Sequence, residues 1–144
     1  DSPNANASCI DELSGTATAQ ESTIWYNACL PQIKGADIQT AAESAPAMLM
    51  ALETGTVDFV CTDMPTAQGA VRAYPDLKIL DYSGTDGDFQ FTDEERAENV
   101  NIGVSVKKGN TELKDAIDSI LSTMTADDFN ALMDEAIAIQ PLSE

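Results

Sequence analysis

The chain has 144 residues, and its 25 acidic residues outnumber its 7 lysines and arginines, which gives a formal net charge of -18 with no histidine. That balance excludes a surface that binds nucleic-acid phosphates or an anionic membrane, because both need clustered cations. The missing histidines exclude His-based catalytic triads and the usual zinc sites. At 43% hydrophobic residues, the chain still has enough apolar side chains to bury the core of one domain.

Targeting, membrane and metal motifs are missing from the sequence. No run of about 18 apolar residues is present to span a membrane, and we expect any signal peptide to lie outside this polar N-terminus. The three cysteines form no CxxC pair. We expect Cys29 and Cys61 to be small buried side chains, Cys9 to be exposed, and neither a metal nor a cofactor to bind.

Strand-like and helix-like segments alternate along the chain. Strands are predicted at residues 16–20, 37–41, 57–62, 77–82 and 102–106, where β-branched and apolar residues form short runs. Helices are predicted at residues 24–33, 44–55, 65–73, 111–124 and from 125 onwards, with N-capping residues and early prolines at their starts. Residues 1–14 are predicted to be an extended lead-in, and residues 83–99 a charged loop with one helical turn.

This order predicts an α/β fold. Its sheet has five mostly parallel strands with helices on both faces, and two C-terminal helices follow. Each C-terminal helix has an apolar face, which is expected to pack on another chain or to fold back on the sheet domain; the two faces comprise Leu113, Ile117 and Leu121 and then Phe129, Met133 and Ile137.

Ligands of such sheets bind beyond the carboxyl ends of the strands, and two of these ends carry unusual residues. After the first strand, the hydroxyls of Ser22 and Thr23 and the amides of Thr23 and Ile24 open a helix, where anions are favoured. After the third strand, Asp63 offers a carboxylate that attracts an ammonium group. Together they have the polarity needed to hold a zwitterion such as a free amino acid, although ordinary helix capping explains each of them separately.

Several segments resemble the second lobe of the extracytoplasmic solute-binding proteins of amino-acid ABC importers, which have the type II periplasmic-binding fold. Gln-Glu-Ser-Thr at 20–23 resembles the family's Gln-x-Gly-Thr turn, and Leu-Glu-Thr-Gly-Thr-Val-Asp at 52–58 resembles its Leu-x-x-Gly-x-Val-Asp segment before a strand that ends in Asp. Residues 75–78 and 102–110 match later landmarks. The resemblance covers roughly residues 10–144.

The resemblance implies a non-enzymatic protein that binds a polar amino acid and delivers it to an ABC permease in the membrane. In that family the Gly-Thr turn binds the ligand's carboxylate, a role that falls here to Ser22, Thr23 and the amide of Ile24. The Asp after the buried strand binds the ammonium group, a role that falls to Asp63. Ser22 replaces the family's glycine, so a positive φ at this turn would strain it.

Two further residues complete the predicted ligand site. Gln20 stands in the same turn, and Trp25 follows one helical turn later as a candidate ligand wall, although packing against a helix face explains it as well.

The resemblance also implies an organisation and a location. Residues 1–14 would cross between lobes, residues 15–109 would form the ligand-binding lobe, and residues 110–144 would pack on lobe 1 or on a second copy of the chain. The parent would be extracellular, lipid-anchored on a Gram-positive cell or periplasmic. An alternative with the same fold is the sensor domain of a receptor kinase, and a remote one is a dehydratase, against which the missing histidines argue.

Overall fold

A three-stranded parallel sheet forms the centre of an α/β fold. The computed structural model describes residues 2–100 and 102–139, without the side chain of Asn99. Strands β1 (Ser14–Thr18), β2 (Gly35–Ile38) and β3 (Phe59–Val60) lie in the order β2-β1-β3, so that β1 pairs with both others. The predicted α/β class and the parallel direction of the strands are confirmed.

Helices fill the connections between strands and the C-terminal part of the chain. A π-helical turn at Trp25–Cys29 and a 3-10 turn at Leu30–Gln32, together called the mixed helix, follow β1. The other helices are α1 (Ala45–Glu53), α2 (Met64–Ala73), the single turn α3 (Asp93–Glu95) with a π-helical continuation (Arg96–Val100), α4 (Thr111–Leu121) and α5 (Ala126–Ile139). Each predicted helix therefore forms, with ends that shift by a few residues.

Pro31 accounts for the irregular geometry of the mixed helix. A proline lacks the amide proton of the α-helical ladder, and its ring clashes with the carbonyl four residues earlier. The chain meets this constraint with a wide π turn before the proline and a tight 3-10 turn around it. The helix predicted at residues 24–33 thus exists but is not a regular α-helix.

The two faces of the sheet are covered by different helices. Paired residues of neighbouring parallel strands point to the same face, so the register that pairs Ala17 with Phe59 also places Ala19 and Cys61 on that face. These side chains belong to one core cluster with residues of the mixed helix and the N-terminal segment, namely Ile10, Leu13, Cys29, Leu30 and Ile33. Met48 of α1 is fully buried outside that cluster, where α1 packs against β3.

The prediction of five strands is wrong, because the structure forms three strands within residues 2–100 and 102–139. Residues 77–82 pair with no strand and lie beside the N-terminal segment instead. The Lys78 ammonium group donates to the carbonyl of Ala5, and the Tyr82 hydroxyl donates to the carbonyl of Ala7 at 3.2 Å. Side-chain contacts thus replace the expected ladder of backbone hydrogen bonds.

The fifth predicted strand, at residues 102–106, is also missing. Ile102 is fully exposed and Val104 is 62% exposed, so this apolar segment has no covering partner among the described residues. The extended lead-in predicted at residues 1–14 is corrected too, since it contains the 3-10 turns Pro3–Asn6 and Ile10–Glu12.

The C-terminal helices are only partly packed. Helix α5 contacts α2, and Ile137 is its buried residue, as expected for a helix that folds back on the domain. The rest of the predicted apolar faces is largely uncovered: Leu113 is 46% exposed, Phe129 48% and Met133 37%, and Ile117 and Leu121 are half-buried.

Hydrogen bonds between Asp58 and Thr16 connect the start of β3 to β1. One carboxylate oxygen of Asp58 accepts hydrogen bonds from the amide and the hydroxyl of Thr16, both at 2.8 Å, and the Asp58 amide donates to the Thr16 carbonyl at 2.8 Å. Gly15, with a φ of +113°, leaves room for this carboxylate, because a Cβ there would lie 2.5 Å from it. Both hydrogen bonds from Thr16 lower the pKa of Asp58, and the bond from the hydroxyl has the larger effect.

This lowered pKa predicts an acid-dependent contribution of Asp58 to stability. A carboxyl whose pKa is lower in the folded state stabilises the fold above its unfolded pKa of about 3.9, and the contribution disappears as the pH falls through the folded value. Asp58→Asn should therefore lower the urea midpoint at pH 7, and the difference from wild type should shrink towards pH 3. Asp76→Asn, an equal charge change at an exposed turn, is the control. A difference that does not vary with pH would contradict this assignment.

Candidate ligand site at the carboxyl edge

The strand order places the change in direction of the connections between β1 and β3. The connection from β1 leads to β2 on one side, and the connection from β2 returns across β1 to β3 on the other. Right-handed crossovers then put the mixed helix and α1 on opposite faces, in agreement with the separate burial of Met48. Open α/β sheets bind ligands beyond the carboxyl ends of their strands, at such a change of direction.

Ser22 occupies a strained turn at this edge. Its φ is +60°, a left-handed conformation that no other non-glycine residue adopts among those described. Hydrogen bonds of the backbone hold the turn beside the chain that follows β2, since Glu21 donates to the carbonyl of Ala42 at 2.8 Å and Ala42 donates to that of Ala19 at 3.0 Å. The positive φ that would strain a serine at this turn is therefore present, and Ser22 is exposed.

The hydroxyl of Thr23 caps the mixed helix. It donates to the carbonyl of Gln20 at 2.7 Å and accepts from the amide of Tyr26 at 3.3 Å. Capping therefore accounts for this hydroxyl. The backbone amides of Ser22 and Thr23 differ from this hydroxyl, because neither amide donates a hydrogen bond to any group in the described part of the chain. These amides are the groups of the turn that remain available to an anion.

A cavity of about 480 Å³ opens beside this turn. Its volume is within the range of small-molecule sites. Three predicted residues line it on one side: Ser22, Thr23 and Ile24. Asn27 and Ala28 of the mixed helix continue this wall.

The opposite wall comes from the segment that the sequence predicts as a charged loop with one helical turn. Phe91, Glu95 and Glu98 complete the lining of the cavity. Glu95 accepts hydrogen bonds from the amide and the hydroxyl of Thr92, at 2.8 and 2.9 Å, and the amide bond is the larger cause that lowers the pKa of Glu95. This wall is therefore anionic at neutral pH and complements an ammonium or guanidinium group.

Gln32 fastens this wall to the mixed helix. Its side-chain amide donates to the carbonyl of Gln90 at 3.0 Å, and its side-chain oxygen accepts from the Gln90 amide at 2.8 Å. The same amide nitrogen also donates to the carbonyl of Ala28. The segment is thus held by a pair of bonds of the kind that joins two strands.

Asp63 lies at the end of the neighbouring strand but does not line this cavity. It is half-buried and caps α2, where its Oδ1 atom accepts from the amide of Thr66 at 2.8 Å. Its Oδ2 atom bonds to no group among the described residues. The structure therefore places Asp63 at the predicted edge, while the cavity holds only part of the predicted set.

The two remaining predicted residues have mainly structural contacts. Gln20 forms an isolated parallel bridge with Ala42, and its side chain does not line the cavity. Trp25 is half-buried against the core cluster, as is Ile24, so packing is the observed role of the indole.

A larger cavity, of about 660 Å³, lies at the other edge of the sheet. Lys34 and Asp11 line it near the starts of β2 and β1 and form an ion pair at 2.9 Å. Because both residues precede their strands, this cavity is away from the carboxyl edge, and the smaller one is the better candidate site.

Neither the described residues nor comparisons with known proteins point to a metal site, a membrane span or a known family. In residues 2–100 and 102–139, no three acidic or cysteine side chains are grouped so as to hold a metal ion, and no helix has the length and apolarity to cross a membrane. The chain matches no protein-family model, no curated protein and no solved structure.

The strain at Ser22 predicts an unusual order of stabilities. A left-handed conformation costs a non-glycine residue about 1–2 kcal/mol, and a glycine avoids this cost. Glycine also lowers the stability by about 0.5–1 kcal/mol, because its unfolded chain has more conformational freedom to lose. Ser22→Gly should be as stable as wild type or slightly more stable, Ser22→Ala close to wild type, and Ser22→Val less stable by more than about 1 kcal/mol. Urea denaturation measures all three. A valine tolerated as well as glycine would show that the turn is not left-handed.

Proposed function

We propose that this chain is a ligand-binding lobe that captures a polar amino acid for an ABC importer and catalyses no reaction. The observation that carries the proposal is the left-handed turn at Ser22, which lines a cavity near the carboxyl edge of the sheet and whose amides have no acceptor among the described residues. A fold maintains such strain when the conformation has a use, and anion binding is what free amides at this position offer.

The charges around the cavity suit a zwitterion. A ligand carboxylate would accept hydrogen bonds from the amides of Ser22 and Thr23. Asp63 lies outside the lining of this cavity, at the same edge of the sheet, and its free oxygen would receive the ammonium group, a role that the resemblance to solute-binding proteins also implies. Glu95 and Glu98, on the opposite wall, would then face the ligand's side chain and favour a cationic or hydrogen-bond-donating one.

The proposal includes a second lobe that closes over the ligand, as in the solute-binding proteins that the sequence resembles, although the three-stranded sheet lacks the five strands predicted for a type II lobe. The largely exposed apolar residues of α4 and α5 support it, since lobe 1 of such a protein would cover them; the most exposed are Ile120, Phe129, Leu132 and Ile139. The extended segment at Ile102 and Val104 is exposed in the same way. Closure of two lobes by a hinge would complete the site.

Amino-acid titrations test the proposed function. The chain should bind at least one of the twenty amino acids weakly, with a Kd of up to about 10 mM, because one lobe supplies only half of the contacts. Asp63→Asn should weaken that binding by about tenfold or more, since it removes a charge-assisted hydrogen bond. NMR titration of labelled protein measures both affinities and locates the shifted amides at Ser22 and Thr23.

Two control variants separate binding from folding in this experiment. Asparagine still caps α2, so Asp63→Asn should keep its stability. Asp127→Asn changes the same charge on an exposed surface of α5 and should bind like wild type. The proposal would be contradicted if the chain bound no amino acid, or if Asp63→Asn and Asp127→Asn lost equal affinity for the ligand.

The uncovered apolar residues of α4 and α5 generate a separate prediction. The chain should bind an apolar dye such as anilinonaphthalene sulfonate, and Phe129→Asp with Leu132→Asp should reduce the fluorescence, because these side chains are 48% and 55% exposed and form part of the uncovered apolar surface. Ala131→Asp, also exposed on α5, adds one negative charge and removes only a methyl group. A monodisperse monomer by light scattering that binds no dye would contradict the proposed docking of lobe 1.

A further inference from the structure

Two cysteines from distant parts of the chain meet in the core. Cys61 follows β3 and points to the same face as Ala17 and Ala19, because the register pairs Ala17 with Phe59. The mixed helix covers that face and contributes Cys29, which belongs to the same buried cluster. Cys29 is 0% exposed and Cys61 is 8% exposed. Packing against alanines, the smallest chiral side chains, lets the helix come close to the sheet here.

The two thiols belong to the same buried cluster. Hydrogen bonding to the side chain of Cys29 is the largest cause that raises the pKa of Cys61, and burial is the second. Both cysteines are reduced in the structure. A protonated, buried thiol reacts slowly, so any oxidation takes place during folding or when the cluster opens locally.

We propose that Cys29 and Cys61 form a disulfide bond under oxidising conditions, which joins the helix after the Ser22 turn to the segment that leads into Asp63. Cys61 lies two residues before Asp63, and Cys29 lies on the helix that begins at the Ser22 turn. The bond therefore ties together the two sides of the carboxyl edge. The proposal is independent of the ligand and stands if no amino acid binds.

The oxidation requires a disulfide oxidant such as oxidised glutathione. The thiolate of one cysteine attacks a sulfur of the oxidant, forms a mixed disulfide and releases one glutathione thiolate. The second cysteine, after losing its proton, attacks the protein sulfur of the mixed disulfide and releases the second glutathione. Two electrons and two protons thus leave the protein, and two molecules of reduced glutathione carry them.

The bond should stabilise the folded chain. It closes a loop of about 30 residues in the unfolded state, and a crosslink of that size predicts a rise in Tm of roughly 10 °C for a domain of this length. Both side chains already belong to one buried cluster, which favours forming the bond without a large movement of the backbone. The oxidised chain should therefore melt above the reduced chain.

Peptide mapping and melting curves test the proposal in a Cys9→Ser variant. Cys9 is half-buried and is the one other thiol, so its removal leaves a single possible pair without altering the core cluster. Refolded with oxidised glutathione, the variant should lose about 2 Da, resist alkylation when denatured, and yield one crosslinked peptide that contains both cysteines. Reduction should return the two thiols and lower the Tm.

Three results would overturn the proposal. The first is two alkylatable thiols after oxidation of the Cys9→Ser variant. The second is an oxidised form that melts at or below the reduced form, which would mean that the native fold does not accommodate the bond. The third is oxidation of the wild-type chain that pairs Cys9 with Cys29 or Cys61.

Discussion

The pairing of β1 with strands on both sides is the constraint on which the rest of the structure depends. Its carbonyls receive the amides of Asp58 and Cys61, and its end continues into the turn that carries Ser22. Ala17 and Ala19 are fully buried, and their small side chains allow the mixed helix to lie close over the sheet. A bulky residue at either position would separate the core cluster and move both sides of the candidate site at once.

Local signals in the sequence predict the first half of the fold well. Ser44 and Asp63 cap α1 and α2 as their sequence context suggests, and three short strands occur where apolar runs indicate them. The runs at residues 77–82 and 102–106 fail because alternating apolar residues indicate an extended chain but not a partner for it. A partner depends on distant residues, and the N-terminal segment takes that place beside Tyr82.

The candidate site is predictable from the sequence on only one of its walls. Ser22 and Thr23 stand next to a strand end, and that position is readable from neighbouring residues. Glu95 and Glu98 are about seventy residues further along the chain and look like any solvated acidic helix end. The same ambiguity affects Asp63 and Thr23, since a side chain that caps a helix and one that binds a ligand use the same atoms.

Gln32 acts as a substitute peptide group, since its side chain offers to Gln90 the donor and acceptor that a neighbouring strand would offer. The acidic wall of the cavity is consequently attached to a helix rather than to the sheet. Phe91 of the same wall also packs against the core cluster, so an exchange of this segment would change the cavity and the core packing together, while the strands keep their register. In such an architecture, the shape of the cavity and the stability of the fold are inherited together.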